Sequence, residues 1–218
     1  MASDADIFAI AANDDPAALL AALGTASPIA LRDPDGASLV LHCLYRGLKN
    51  NLTALAARAA PLPLHEAGAL GDDAAVEAAL MRAPDALHLL SPDGWTALHL
   101  AAFFGHESTV TLLLARGADP ALWSRAFERN LPLHAACAGR REKVEVVRAL
   151  LAVTRDVDAS QGSGWTPLML AAANGMAATV SVLRARGADA TLKNDAGKTA
   201  SDLAAEHGHA AIVELLSL

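Results

Sequence analysis

Between Asp93 and Pro120 the chain reads DGWTALHLAAFFGHESTVTLLLARGADP, and its apolar positions fall into two short runs at helical spacing. Leu98, Ala101 and Ala102 share one face of a first predicted helix, and Val110, Leu113 and Leu114 share one face of a second. Ser91-Pro92-Asp93-Gly94 before them suits a type I turn, with proline second and glycine last. Thr96 is a good N-cap. Gly105 can end the first helix in the left-handed conformation, and Gly117 stops the second. Neither helix can bury its apolar stripe alone, so neighbouring units must stack.

The same pattern recurs. Gly94 to Ala102 aligns without gaps on Gly164 to Ala172, where Thr166-Pro167 places proline at the first helical position. Gly94–Gly105, Gly164–Gly175, Gly197–Gly208 and Gly36–Gly47 each span eleven residues, and Gly175 to Gly208 spans 33. Weaker copies stand at Leu131-Pro132-Leu133-His134-Ala135-Ala136, at Leu62-Pro63-Leu64-His65-Glu66-Ala67 and at Lys198 to Ala205.

A Thr-Ala-Leu-His-Leu-Ala-Ala-x-x-Gly-His run, followed by Leu-Leu-Leu-Ala-Arg-Gly-Ala-Asp, resembles an ankyrin repeat in motif and period. The resemblance covers nearly the whole chain. It implies one all-α domain over 1–218, an ankyrin-repeat solenoid of stacked helix-turn-helix units with short β-hairpin loops. About seven units are expected, at 4–31, 32–60, 61–90, 91–123, 124–159, 160–192 and 193–218, the first a degenerate cap. Two irregularities stand out. Gly47 and Gly71 are only 24 residues apart, so the hairpin between the second and third units must be missing or shortened. The fifth unit carries extra residues in Trp123–Asn130 and around Gly139–Val147.

Composition narrows the function. Hydrophobic residues make up 53% of the chain, much of it alanine, which suits helices at close range rather than a wide sheet sandwich. A formal net charge of -7 argues against nonspecific nucleic-acid binding, which needs a basic face. Two distant cysteines, Cys43 and Cys137, make no disulfide framework and fit a reducing compartment. The acidic N-terminus is unlike a secretory signal, and no apolar run reaches membrane-spanning length. A cytoplasmic protein is expected.

Aromatic residues are only 4% of the chain, yet Trp95, Phe103 and Phe104 fall within ten residues. The resemblance implies that the two positions before the helix-ending glycine line the concave face, as does the residue after the hairpin glycine. It thereby places Trp95, Phe103 and Phe104 together, with Trp165 at the equivalent hairpin position two units on and Tyr45 and Arg46 in the second unit. Trp123 and Arg125 belong to the inserted loop, with Phe127. The competing reading packs Phe103 on a neighbouring helix and Trp95 over a hairpin stem. Clustered Trp, Tyr and Arg on a rigid face fit a protein-binding hot spot.

Catalytic and metal chemistry find little support. His65, His99 and His134 occupy the fourth place of the repeated motif, a structural position in the family. Glu206-His207-Gly208-His209 straddles a helix-ending glycine, and histidines two apart share no helical face. His65-Glu66 lacks the second histidine of a zinc-protease motif, since Ala69 stands there. No cofactor is expected. The leading reading is a non-enzymatic module, monomeric, binding a protein of unspecified identity through its concave face and hairpin tips. Self-association through Ile212, Val213, Leu215 and Leu216 is the second reading, and a metal-dependent regulator or enzyme the third.

Overall fold

The computed structural model describes residues 2–126, 128–139 and 141–217. Among them lie fourteen α-helices in seven pairs. The pairs are α1 (Asp4–Ala11) with α2 (Pro16–Leu23), α3 (Leu39–Arg46) with α4 (Lys49–Arg58), and α5 (Leu64–Leu70) with α6 (Asp73–Arg82). Then come α7 (Ala97–Phe104) with α8 (Glu107–Ala115), α9 (Pro132–Ala138) with α10 (Val144–Leu151), α11 (Pro167–Ala173) with α12 (Ala177–Ala185), and α13 (Ala200–Glu206) with α14 (Ala210–Leu216). No helix of the described residues is long and apolar enough to cross a membrane.

Local chemistry sets these boundaries. Ser38, Thr96, Thr166 and Thr199 cap α3, α7, α11 and α13, each side-chain oxygen accepting a backbone N–H three residues on. Asp15 and Asp72 cap α2 and α6, where a negative charge also suits the helix dipole. Gly47, Gly71 and Gly105 close α3, α5 and α7 in the left-handed region.

The helices form two rows. In the inner row α3, α5, α7, α9, α11 and α13 pack in succession. They approach closely because their contact faces are small. A side chain at Gly68 would meet the Ala97 carbonyl at 3.0 Å. In the outer row α2 packs on α4, and α6, α8, α10, α12 and α14 pack in succession. Between α4 and α6 the outer row opens into a groove of about 560 Å³ lined by Leu52, Ala56, Leu62, Leu70 and Ala75 among others. Leu19, Leu55, Leu98, Val110, Leu113, Leu150, Leu168 and Leu183 fill the space between the rows and are buried. Burying each such side chain contributes roughly 1.5–3 kcal/mol.

The loops drawn from sequence as hairpins are tight turns, with an antiparallel bridge between Arg32 and Ser38. They stack through backbone bonds. Arg125 N–H donates to the Gly94 carbonyl at 2.8 Å, Gly162 N–H to the Glu128 carbonyl at 2.8 Å, and Asp195 N–H to the Ser163 carbonyl at 3.1 Å. The segment joining the second and third units carries no such turn. The second-unit turn therefore sits directly on the fourth-unit turn, and a side chain at Gly36 would meet the Pro92 carbonyl at 2.8 Å.

Histidines tie the inner helices to the turn regions that follow them. His65, His99 and His134 each donate from Nε2 to a carbonyl in the following turn region: Leu89 at 2.9 Å, Asn130 at 2.9 Å and Ala159 at 2.8 Å. The other nitrogen of two of them accepts, from the Thr96 hydroxyl at 2.7 Å for His99 and from Leu131 N–H at 3.2 Å for His134. A neutral imidazole satisfies both partners and a protonated one cannot. A second set caps the ends of inner-row helices. His106 Nε2 donates to the Ala69 carbonyl, Asn174 Nδ2 to that of Cys137 and His209 Nε2 to that of Ala173. Such bonds satisfy carbonyls that the helix itself leaves open.

Two outcomes are expected. Gly36→Ala and Gly197→Ala both place a Cβ at positive φ, but nothing lies within 4 Å of Gly197. Urea denaturation should show Gly36→Ala the less stable by roughly 1–3 kcal/mol, the usual cost of overpacking. Equal losses would mean that the two turns do not press together. The second outcome concerns pH. Burial pulls His99 and His134 down to about 4, from an ordinary value of 6.5. The unfolded chain thus takes up protons first as pH falls. Stability is complete above 6.5 and falls between 6.5 and about 4, by about 1.4 kcal/mol per pH unit per histidine. Denaturation midpoints at pH 7 and pH 5 check this, and His99→Gln/His134→Gln should flatten the difference.

Candidate partner-binding face

The missing turn decides what faces outward on the inner row. With no third-unit turn in the way, Tyr45 at the end of α3 reaches the fourth unit, and its hydroxyl donates to Asp93 Oδ2 at 2.9 Å. Its ring lies 5.5 Å from that of Phe104 and 6.2 Å from that of Phe103. Phe103 and Phe104 meet edge to face at 5.1 Å. Tyr45, Trp95 and Phe104 all pack, half-buried, over a small apolar layer of Ala37, Leu41, Ala69 and Leu100, separate from the main core. Trp95 also meets the His99 ring edge to face at 5.6 Å. Phe103 touches Tyr45 and Phe104 and belongs to neither buried cluster.

The end of α7 that carries these rings is clamped. Lys143 Nζ donates to the Phe104 carbonyl at 2.7 Å and the Gly105 carbonyl at 3.2 Å. Gly139 runs so close to the Phe103 carbonyl that a Cβ there would approach it to 2.7 Å. The extra residues of the fifth unit thus hold the aromatic pair from behind.

Of the other expected contacts, only Arg125 adjoins this ledge. Arg46 is exposed and borders a different cleft with Phe8, Arg32 and His42. Arg125 is exposed beside Trp95 and Asp93, and also beside Trp123. Trp123 is half-buried, 5.9 Å from the His134 ring, with the Arg129 guanidinium 5.8 Å from its own ring. Trp165 packs against the main core. Phe127 lies outside the described residues.

Electrostatics set the ledge off from its surroundings. Burial pushes the Tyr45 hydroxyl's ionisation far up, and the charges of Asp93, Asp33 and Glu66 push it further. Asp33 closes its own turn, accepting N–H bonds from Asp35 and Ala37 and pairing with His42 Nδ1 at 2.8 Å. Sequence reasoning missed these acids. The signal was available, since Asp33, Asp35 and Asp93 stand in turns that flank the missing one.

Other reactive groups are occupied or quenched. Burial pushes the Cys43 thiol up to about 11 and that of Cys137 up to about 12, so neither supplies a thiolate nucleophile near neutrality. His207 Nδ1 bonds the Leu203 carbonyl and His209 caps α11. No group of three or more metal-binding side chains occurs among the described residues.

Comparison with known proteins agrees with the repeat geometry. The family model described as ankyrin repeats (3 copies) matches residues 8–122, 64–161 and 133–217. Ankyrin repeat and SOCS box protein 16 of Mus musculus is 38% identical over 115 residues, 50% of this chain and 25% of that protein. Ankyrin repeat and KH domain-containing protein mask-1 of Caenorhabditis elegans is 38% identical over 122 residues, 55% of this chain and 4% of that protein. The nuclear factor NF-kappa-B p105 subunit of Gallus gallus is 33% identical over 134 residues, 60% of this chain and 13% of that protein. This chain thus spans a quarter or less of these relatives, all of them larger proteins. Recurring helix pairs, the histidine ladder and the family match together show that the chain belongs to the ankyrin-repeat family, whose repeats are protein–protein interaction modules.

Proposed function

We propose that this chain is a non-enzymatic interaction module that grips a partner protein on its inner face. Phe103, Phe104, Trp95 and Tyr45 form the central contact, with Arg46, Trp123, Arg125 and Trp165 as outlying contacts. The observation that carries the reading is the aromatic ledge. Three half-buried rings sit on their own apolar layer, and a fourth half-buried ring, Phe103, packs against Tyr45 and Phe104. Rings already packed and clamped lose little freedom on binding, so more of the contact energy reaches the affinity. The working form is a monomer in a reducing, cytoplasmic setting, to which two buried thiols are suited. The acidic balance speaks for a protein partner over nucleic acid.

The ledge residues separate by role. Trp95 and Phe104 cover the small apolar layer, so truncating either should cost both binding and stability. Phe103→Ala should leave the denaturation midpoint near wild type. It should weaken partner binding by about 2 kcal/mol, the scale of a hot-spot residue, or roughly thirtyfold in Kd. Immobilised wild type and Phe103→Ala, each exposed to lysate of the native host, provide the test. A protein retained by wild type and lost from the variant supports the reading, and its Kd for both forms checks the magnitude. Identical captures would remove Phe103 from the contact.

A further inference from the structure

Beside the ledge, between the stacked turns of the second and fourth units, lies a groove of about 630 Å³. Its walls include Asp33, Asp35, Tyr45, Asp93, Trp95 and Arg125. Of its twelve lining residues three are carboxylates, two are aromatic, and the single cation, Arg125, is exposed. Asp33 is satisfied by its turn and by His42. Asp35 and Asp93 have no cationic partner among the described residues. The Asp93 oxygens accept one hydroxyl each, from Ser91 and Tyr45, and each keeps a lone pair for a further donor.

A second observation is independent of the turns. Glu66 on α5, next to α3 and α7 in the inner row, is only 3% exposed. Its charge acts on the Tyr45 hydroxyl together with those of Asp33 and Asp93. Negative charge thus converges on Tyr45 from three elements, at a position walled by aromatic rings.

We propose that this groove receives an arginine side chain from an extended segment of the partner protein, with its guanidinium over the Tyr45 and Trp95 rings and paired with Asp35 and Asp93. The inference rests on the inner-face reading and adds the chemistry of the partner. Arginine fits better than lysine. Its planar fork meets carboxylates bidentately and stacks on aromatic faces, whereas an ammonium does neither. Cation–π attraction at Trp and Tyr strengthens as the groove loses water. Arg125 at the rim disfavours a second cation beside the first, so one arginine flanked by uncharged residues is preferred over a basic run.

A random-peptide phage library panned on immobilised protein tests this. Wild type should enrich peptides with arginine at a fixed position. The synthetic consensus peptide should bind Asp35→Asn/Asp93→Asn at least about tenfold more weakly, and raising the salt concentration should weaken wild-type binding. Asparagine at position 93 keeps one acceptor for the Tyr45 hydroxyl, and the Ser91 hydroxyl can turn to the Trp95 carbonyl at 2.9 Å, so helical circular dichroism and a cooperative melt should persist and exclude misfolding. Replacing the peptide's arginine by citrulline, which keeps the shape and removes the charge, should also lose about tenfold. A consensus without a cation, equal binding to the variant, or no enriched peptide overturns the proposal. A cation-free consensus that is lost on Phe103→Ala would sink the arginine groove and keep the inner face. Binding indifferent to both variants would sink the two together.

Discussion

The direct seating of the second-unit turn on the fourth-unit turn is the constraint that shapes the rest of the molecule. Gly47 and Gly71 stand 24 residues apart, enough for α4 and a short link but not for another turn. The third unit keeps its two helices, and α5 stays in the inner row because Gly68 lets it lie close against α7. Removing one layer of turns while keeping the layer of helices closes the array on the turn side. The complement is visible on the far side, where α4 and α6 part around the groove lined by Leu52 and Ala75. One deletion thus makes a contact and an opening at once.

That contact gives the inner face its chemistry. A regular array would insert a turn between Tyr45 and Asp93. Here the two bond directly, and the Tyr45 ring covers Leu41 and Leu100 beside Phe104. Asp33 and Asp35 come against Asp93 by the same closure. Like charges gathered in this way repel, and the cost is met locally by turn N–H groups, by His42 and by the Ser91 and Tyr45 hydroxyls. Meanwhile the irregular fifth unit supplies Lys143 and Gly139, which fix the end of α7 and the two phenylalanines on it. Both departures from the repeat therefore converge on the same patch of surface.

Much of this was legible in the chain. The helix pairs follow from the spacing of Leu98, Ala101 and Ala102 and from caps such as Thr96 and Thr166, because those signals act within a few residues. The absent turn was legible from the Gly47–Gly71 interval, but its consequence was not. Sequence spacing says that a layer is missing, while the new neighbours of Tyr45 depend on how the remaining layers close. The resemblance groups Trp95, Phe103 and Phe104 by their positions in one unit, and it cannot see that Tyr45 from two units away completes the ledge. Glu66 was unreadable for a similar reason. It takes the place of Leu100 in the motif, and only the stacking of α5 between α3 and α7 shows that a carboxylate is buried there.

The joints between units and the groove respond differently to salt, and this difference bears on how the protein can work. One set of side-chain bonds along the array runs from an imidazole or amide to a carbonyl, as at His99, His134, His106, Asn174 and His209. Each contributes about 0.5–1.5 kcal/mol without a net charge to screen. The Arg116–Glu77, Arg148–Glu145 and Lys198–Glu206 ion pairs are largely exposed and add little at physiological ionic strength. The carboxylates beside Tyr45, by contrast, act through charge, which salt screens over roughly 8 Å at physiological strength. Ionic conditions can then tune attraction for a cationic partner while the scaffold holds its shape. Acid is the condition that reverses this order, because protons reach the buried imidazoles only by loosening the joints themselves.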